Sequence, residues 1–293
     1  MLRRLAHKRK YMSTKKLYRS YGGDTVIVVF LVVLGFFIMI PFFYALFQSF
    51  KPPEELWNFP PNFIVRNPTL RNYRNLLREM SYSWVPFSRY VFNSIFITVV
   101  GTLGQIVLSS MCAYALAKHR FYGSKTIFRI IVMSLMFTAN VTAIPNFLVI
   151  SRLRLMDSPL AIILPAFSKS LGLYLMKQFI ETMVPDSVIE SARMEGASEW
   201  RVFWFMVMPM VKPAWLTLVI FSVNELWSGQ SIFLQSEQKK TFASAISSIS
   251  GGGIAMAGVS SATVIVMMLV PIIVYIVSQS NVVKTMSTSG MKE

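Results

Sequence analysis

The 293-residue sequence has few of the residues that build catalytic or cross-linked sites. It contains one cysteine, Cys112, which excludes an intrachain disulfide framework and a CxxC zinc site. Its two histidines, His7 and His119, lie far apart and lack metal-ligand spacing, and neither HExxH nor a GxxxxGK[ST] phosphate loop occurs. We therefore expect no metal site, no catalytic residue and no ATP hydrolysis in this chain.

Charge is scarce as well, and acidic charge most of all. Charged residues make up 14% of the chain and hydrophobic residues 54%, whereas an ordinary soluble domain is roughly a quarter charged. A soluble fold cannot hide so much apolar surface, so the composition predicts an integral membrane protein. The 13 acidic and 29 basic residues give a net charge of +16, which we interpret as membrane sidedness rather than nucleic-acid binding.

Six windows are long and apolar enough to cross a hydrocarbon core about 30 Å thick, which requires roughly 20 helical residues. They are residues 25–47, 91–117, 127–150, 160–180, 202–227 and 259–278. The first follows a basic tail at 1–24 and is too long for a signal-peptide core, so we expect it to stay uncleaved. Pro145 and Pro165 indicate breaks that neighbouring helices can satisfy. The predicted fold is an all-α membrane protein with about six transmembrane helices within residues 25–282.

Basic residues indicate the orientation. The tail at 1–24 carries eight of them. A second group lies between the second and third windows: Lys118, Arg120, Lys125 and Arg129. Because short basic loops stay in the cytoplasm, we expect a multi-pass protein with both termini, including the tail at 283–293, on that side. The bias is incomplete, since the outward loops also carry lysines and arginines.

A polar segment at 185–201, between the fourth and fifth windows, is too charged to enter lipid. Pro185 and Asp186 suit a helix N-terminus, and Gly196 suits the turn that ends a short helix. We therefore predict a short helix across the cytoplasmic face. On composition alone, the segment is equally well an ordinary loop that rests on lipid headgroups.

The spacing of this segment is more specific than its composition. Glu190-Ser191-Ala192, then Gly196, then Met206-Val207-Met208-Pro209 resemble the EAA-x3-G-x9-I-x-L-P signature of ABC importer permeases. Its place between the third-last and second-last spans agrees. Ser191, Met206 and Met208 depart from the family residues but remain small or apolar. Docking of this segment on the ATPase, which the resemblance implies, is therefore not placed in doubt.

The resemblance covers most of the chain and is closest to the carbohydrate branch, in particular its MalG-like subunit. The shared features are Asn72-Tyr73, Asn93-Ser94 and Tyr114-Ala115-Leu116-Ala117 with Arg120-Phe121. The resemblance implies a type I ABC importer permease (MetI-like) fold in the bacterial cytoplasmic (inner) membrane. It also implies that oligosaccharides are imported by alternating access.

The same resemblance implies the partners. These are a second, MalF-like membrane subunit, two ABC ATPase subunits that bind ATP and Mg, an extracytoplasmic sugar-binding protein and membrane lipid; no nucleic acid is expected. The chain itself would be non-catalytic and hold no cofactor. The implied ATPase-coupling residues are Glu190, Ser191, Ala192, Arg193, Glu195, Gly196 and Pro209. In the maltose importer the corresponding tail reaches between the ATPases, which makes residues 287–292 candidates for the same contact.

Polar residues at membrane depth are the candidates for a substrate path. Lys169 and Glu225 lie inside predicted spans, where a charge usually has a partner or meets a water-filled path. They either form a structural pair or line the route of the substrate. Further candidates to bind sugar hydroxyls or stack on sugar rings are Asn140, Asn146, Asn224, Gln230, Tyr174, Trp227 and Phe233.

The substrate class is the least specific prediction. Arginines in the outward loop 66–89 favour an acidic sugar or an acidic binding protein, because guanidinium pairs well with carboxylate. Uronic-acid oligomers such as alginate or pectin fragments are the leading candidate substrates, and neutral malto- or galacto-oligosaccharides are the alternative. The alternative function is an ion-coupled secondary transporter or channel, with Lys169 and Glu225 as its ion site. A membrane-embedded enzyme is disfavoured because no catalytic arrangement occurs at membrane depth.

Overall fold

The computed structural model describes residues 21–56, 62–82, 84–229, 231–250 and 256–289. The helices, in chain order, are α1 (Tyr21–Phe50), α2 (Pro53–Leu56), α3 (Arg71–Tyr82), α4 (Phe87–Lys118), α5 (Ser124–Ser134), α6 (Ala139–Arg152), α7 (Leu160–Phe167), α8 (Ser170–Met183), α9 (Asp186–Met194), α10 (Glu199–Val202), α11 (Met208–Met210), α12 (Lys212–Ser228), α13 (Phe242–Ser250) and α14 (Ala257–Ser289). A π-helical turn at Phe203–Val207 and a 3-10 turn at Glu237–Lys239 complete the regular structure of these ranges. The prediction of an all-α membrane protein is confirmed.

Within the described ranges, four helical segments are long and apolar enough to span a membrane. They are Gly22–Phe50, Phe87–Lys118, Leu160–Met183 and Ala257–Gln279. Two bent pairs, α5 with α6 and the α10–α11 segment with α12, raise the number to six if each counts as one span. Since α14 continues to Ser289, the first part of the predicted tail at 283–293 is helical. The tail at 1–24 lies almost wholly outside the described residues.

The window at 127–150 forms a bent pair of helices and not one straight helix. Helices α5 and α6 meet at 109°. The helical series is interrupted after Ser134, and Thr138 is extended, with ψ 157°, where α6 begins. The hydroxyl of Ser134 lies 2.6 Å from that of Ser170 on α8, which fastens the end of α5. Pro145, the expected breaking residue, lies inside α6 instead.

The window at 202–227 is also broken, here with a bend of 77° between α10–α11 and α12. Pro209 and Pro213 lie on either side of the break, and both lack the N–H that a continuous helix would use. The indole N–H of Trp215 donates to the carbonyl oxygen of Met208 at 3.2 Å. This side chain thus joins α12 to the segment before the bend.

Helix α4 is the centre of the bundle and packs against α7, α8, α12 and α13. Small residues permit this close packing: a Cβ added at Gly172 on α8 would lie 2.8 Å from the Ser109 hydroxyl of α4. The Thr102 hydroxyl donates to Ser222 on α12 at 3.0 Å. By contrast, the most apolar stretch of α1 has no residue buried within the chain, as suits a helix in contact with lipid.

Candidate coupling surface and substrate cavity

The predicted short helix is α9, and backbone geometry fixes its end. Gly196 follows it with φ +78°, in the left-handed region that favours glycine. The Ala197 N–H donates to Ala192 O and the Gly196 N–H to Arg193 O, both at 3.0 Å. These two bonds form a Schellman motif, which satisfies the last carbonyls of the helix. Gly196 therefore sets the direction in which the chain leaves α9.

One face of α9 is buried and the other is open. Ile189 and Ala192 join a core cluster with side chains of α4, α8 and α12. The other residues of the implied coupling set on this segment are exposed: Glu190, Ser191, Arg193, Glu195 and Gly196. Met194, 89% exposed, and Trp200, 61% exposed, add large apolar side chains to this polar surface. Sequence reasoning missed both, although exposed large apolar residues beside charged ones are typical of contact surfaces.

A network around Glu199 ties the α9–α10 segment to the end of α4. Arg193 Nε donates to Glu199 Oε1 at 2.7 Å, and the Tyr114 hydroxyl donates to Glu199 Oε2 at 2.8 Å. His119 Nε2 lies 3.4 Å from the same carboxylate. The hydrogen bond to Glu199 also raises the pKa of Arg193, so this cation stays charged. Glu199 and Tyr114 were not among the coupling residues that the resemblance implied.

A second tie joins the two elements through Lys118. Its ammonium donates to Val184 O and to Asp186 Oδ1, both at 2.6 Å. The hydrogen bond from Lys118 holds the pKa of Asp186 below its ordinary value. Pro209, by comparison, lies in the bend before α12, on a different helix from the open face of α9. We therefore interpret Pro209 as a residue that bends the span formed by α10–α11 and α12. The α9 residues form the candidate coupling surface.

At membrane depth, Lys169 and Glu225 meet as an ion pair that joins the α7–α8 break to α12. They line a cavity of about 390 Å³ together with Asn146 of α6. The side chains of Lys169 and Glu225 are 41% and 57% exposed. The pair is therefore open to the cavity and not sealed between helices.

The other candidates for the substrate path do not all meet here. Phe233 lines the same cavity and stacks on Phe147, with ring centroids 6.3 Å apart. Asn140 is exposed near the start of α6. Asn224 faces a separate cavity of about 590 Å³ between α12, α13 and α14. Gln230 lies outside the described residues.

The two remaining aromatic candidates are placed elsewhere. Tyr174 stacks on Phe128 of α5, with centroids 6.2 Å apart. Trp227 corrects the prediction, because it is buried and its indole N–H donates to Met267 O at 2.9 Å. Its ring also packs against Phe242. Trp227 joins α12 to α14 and α13 and is not available to stack on a sugar.

The chain matches the sequence model of a transporter family, the binding-protein-dependent transport system inner membrane component, over residues 105–288. It belongs to this family. The matched region runs from the second half of α4 into α14 and contains the whole coupling segment. The resemblance based on Glu190, Gly196 and Pro209 is thereby confirmed, and this permease is a subunit of a binding-protein-dependent ABC importer. The ion-coupled alternative is not favoured.

Similar proteins and folds agree with this assignment. LplC of Bacillus subtilis is 32% identical over 210 residues, which are 70% of the permease and 67% of LplC. The polygalacturonan/rhamnogalacturonan transport system permease protein YtcP of Bacillus subtilis is 29% identical over 205 residues, 70% of this chain and 69% of YtcP. A crystal structure of a bacterial ABC transporter involved in the import of the acidic polysaccharide alginate shares the fold. Its TM-score is 0.72 at 24% identity, over 90% of this chain and 99% of the matched one.

A loop that contributes Phe233 to the cavity is fastened by Asp157, an acidic residue that sequence reasoning did not single out. Asp157 has φ +57° and its N–H donates to Phe233 O at 2.8 Å. Its carboxylate accepts bonds from the Ser236 hydroxyl at 2.5 Å and Lys239 Nζ at 2.9 Å. The bonds from Ser236 and then Lys239 hold the pKa of Asp157 far below its ordinary value. Two loops of the permease are thus joined beside the cavity.

Helix α3 gives the loop at 66–89 of the permease a basic face. Arg71, Arg74 and Arg78 are exposed at helical spacing, whereas Asn72 and Leu76 on the opposite side are buried. The Asn72 amide donates to the carbonyl oxygens of Ser49 at 2.9 Å and Lys51 at 2.7 Å. These bonds fix α3 against the end of α1 and direct the arginines outward.

Proposed function

We propose that this permease carries acidic oligosaccharides into the bacterial cytoplasm as part of an ATP-driven importer that works by alternating access. Its partners are a second, MalF-like membrane subunit, two ATPase subunits that bind ATP and Mg, and an extracytoplasmic sugar-binding protein. Both termini and α9 lie in the cytoplasm in this arrangement. The chain itself contributes no chemical step.

The observation that carries the proposal is the divided surface of α9. Glu190, Ser191 and Met194 share its open side at helical spacing, and Trp200 follows on α10. The buried side joins the core of α4, α8 and α12. A groove of the ATPase that grips the open side therefore moves these spans with α9. ATP favours the closed ATPase pair, which shifts the permease between its inward-open and outward-open states.

The preference for acidic substrates is supported by the charges of the cavity and of α3. A uronic-acid carboxylate that enters the cavity has Lys169 as its partner, in competition with Glu225. The three exposed arginines of α3 attract an acidic oligomer, or an acidic binding protein, at the outer surface. The description of YtcP names the transport of polygalacturonan and rhamnogalacturonan, and that of the alginate transporter names the import of an acidic polysaccharide.

Substrate-stimulated ATP hydrolysis by the reconstituted complex tests the coupling. We expect Glu190→Lys and Met194→Asp each to lower the stimulation about tenfold, as loss of a central interface residue does. Glu190→Asp and Met194→Leu, which keep the charge and the apolar side chain of the open face, are the matched controls and retain most of the stimulation. Unchanged stimulation in Glu190→Lys and Met194→Asp, with the ATPases still bound, would remove α9 from the mechanism.

Uptake by the same proteoliposomes tests the substrate class. Oligomers of guluronate, mannuronate or galacturonate are compared with neutral malto-oligosaccharides of equal length, each with its own binding protein present. We expect acidic oligomers to be transported in preference. Equal transport of both classes, or transport of the neutral class alone, would end the acidic hypothesis and leave the coupling mechanism intact.

A further inference from the structure

A cavity of about 910 Å³ opens beside the turn between α4 and α5, apart from the substrate cavity. Its lining includes His119, which also faces Glu199 of the coupling network. The end of α4, the first turns of α5 and the middle of α8 form its walls. Its volume lies within the range of about 300–1,000 Å³ that is usual for ligand sites. No residue that we assign to substrate transport lines it.

Most charged groups around this cavity already have a partner. Lys177 is buried at its inner wall, where its ammonium lies 2.5 Å from Glu181 Oε1 and 4.0 Å from the centre of the Phe128 ring. His119 faces Glu199. The local charge of these groups is therefore largely balanced.

Two cationic side chains at the cavity differ from these groups because they have no partner among the described residues. Arg120 and Lys125 are exposed and, within the described part of the chain, form no hydrogen bond or ion pair. Lys118 is the main cause of the low pKa of Asp186, to which Arg120 contributes only at a distance. The cavity thus presents two positive side chains to an anion.

The surface next to these cations is apolar. Phe128, which lines the cavity, and Val132, 37% exposed, follow Lys125 at helical spacing on the same face of α5. Phe121 and the fully exposed Tyr122 flank the cavity at the turn. A free phosphate ion needs only the charges, whereas a phospholipid needs charge, an aromatic boundary and an apolar flank in this order.

We infer that this cavity binds the phosphate headgroup of an anionic phospholipid, with Arg120 and Lys125 on the phosphate and the acyl chains along α5. The inference uses the proposed orientation, which places the turn at the cytoplasmic leaflet, and goes beyond the transport function. The lipid lies beside Lys118 and therefore beside the anchor of α9.

Lipid binding to the purified complex in detergent tests the inference by native mass spectrometry, with phosphatidylglycerol and phosphatidylcholine as probes. We expect retention of phosphatidylglycerol over phosphatidylcholine. Each neutralised cation should weaken it about fivefold, so Arg120→Gln with Lys125→Gln weakens it about 25-fold. Arg120→Lys with Lys125→Arg keeps both charges and retains the lipid, as does Arg152→Gln with Arg154→Gln at the outward turn.

Several outcomes would overturn the inference. They are equal retention of the two lipids, full retention by the doubly neutralised variant, or complete displacement of phosphatidylglycerol by millimolar inorganic phosphate. Loss of the ATPase subunits from that variant with unchanged lipid would show that the cations contact protein. Because the readout needs neither transport nor ATP hydrolysis, it can fail while the proposed function stands, and the reverse also holds.

Discussion

The proposed coupling segment and the proposed substrate cavity of this permease are built in opposite ways. The coupling segment is local: α9, its end at Gly196 and its open face lie within about three helical turns of chain. The cavity draws its polar groups from three distant places, Asn146, Lys169 and Glu225. A surface for the ATPase can be specified by residues a few positions apart in one short segment. A cavity for a substrate depends instead on how helices that are distant in sequence pack together.

The largest effect is expected at the ion pair of the cavity. Reversing both charges, Lys169→Glu with Glu225→Lys, keeps an ion pair between the same two places but moves the ammonium onto α12. If Lys169 binds the carboxylates of the substrate, uptake of acidic oligomers should fall by about tenfold or more, the cost of one misplaced charged hydrogen bond. Uptake into proteoliposomes measures this.

The single variant Lys169→Met and the reversed pair together separate two roles. A purely structural pair predicts that Lys169→Met lowers the yield of folded complex and that the reversal restores both yield and uptake. A substrate-binding lysine predicts restored yield without restored uptake. Full recovery of uptake in the reversed pair would make the pair structural and break the contrast between the two regions.

A smaller effect is expected at Gly196, where the contrast can be tested on the coupling side. A Cβ at Gly196 would meet no atom within 4 Å, so a substitution acts only through the backbone. A residue other than glycine costs about 1–2 kcal/mol in the left-handed conformation. Gly196→Val should therefore lower substrate-stimulated ATP hydrolysis by up to about fivefold, because only part of this strain reaches the contact with the ATPase.

Gly196→Asn provides the control, because asparagine tolerates left-handed backbone far better than valine. It should retain most of the stimulation. If both variants lose activity equally, glycine is needed there for contact with the ATPase and not for its conformation.

The sequence predicted the local features of this permease better than the distant ones. The start and end of α9 follow from Pro185, Asp186 and Gly196, which act on their immediate neighbours. The hydrogen bond between Tyr114 and Glu199 joins residues 85 positions apart, and hydrophobic periodicity does not predict such a pair. Trp227 was assigned to the substrate because it is aromatic, but the packing of α12 on α14 decided which way its ring faces.

Bends show the same limit. Prolines predicted breaks in the third and fourth windows, yet Pro145 sits inside α6 and the 109° bend occurs at residues 135–138. Neighbouring helices can satisfy the groups that a proline frees, so a proline indicates tolerance of a break better than its position. The bend near Pro209 and Pro213 does fall at its prolines, because two missing N–H groups act together.

The smallest effect concerns Asp157, which joins two loops through its bonds to Phe233 and Ser236. Its pKa in the folded protein lies below the ordinary carboxyl value of about 4, so the unfolded state binds the proton more tightly. The stabilisation is complete above the unfolded pKa and is lost as the pH falls towards the folded one. The loop at 233–239 should therefore loosen only below about pH 4. Protease cleavage of this loop, followed from pH 7 to pH 3 with an acid-active enzyme, measures the loosening.

Asp157→Asn should remove the pH dependence and leave the loop loose throughout, because an amide attracts Lys239 weakly. A wild-type loop equally protected at pH 7 and pH 3 would show that the Asp157 N–H bond to Phe233, which does not titrate, is sufficient to hold the loop.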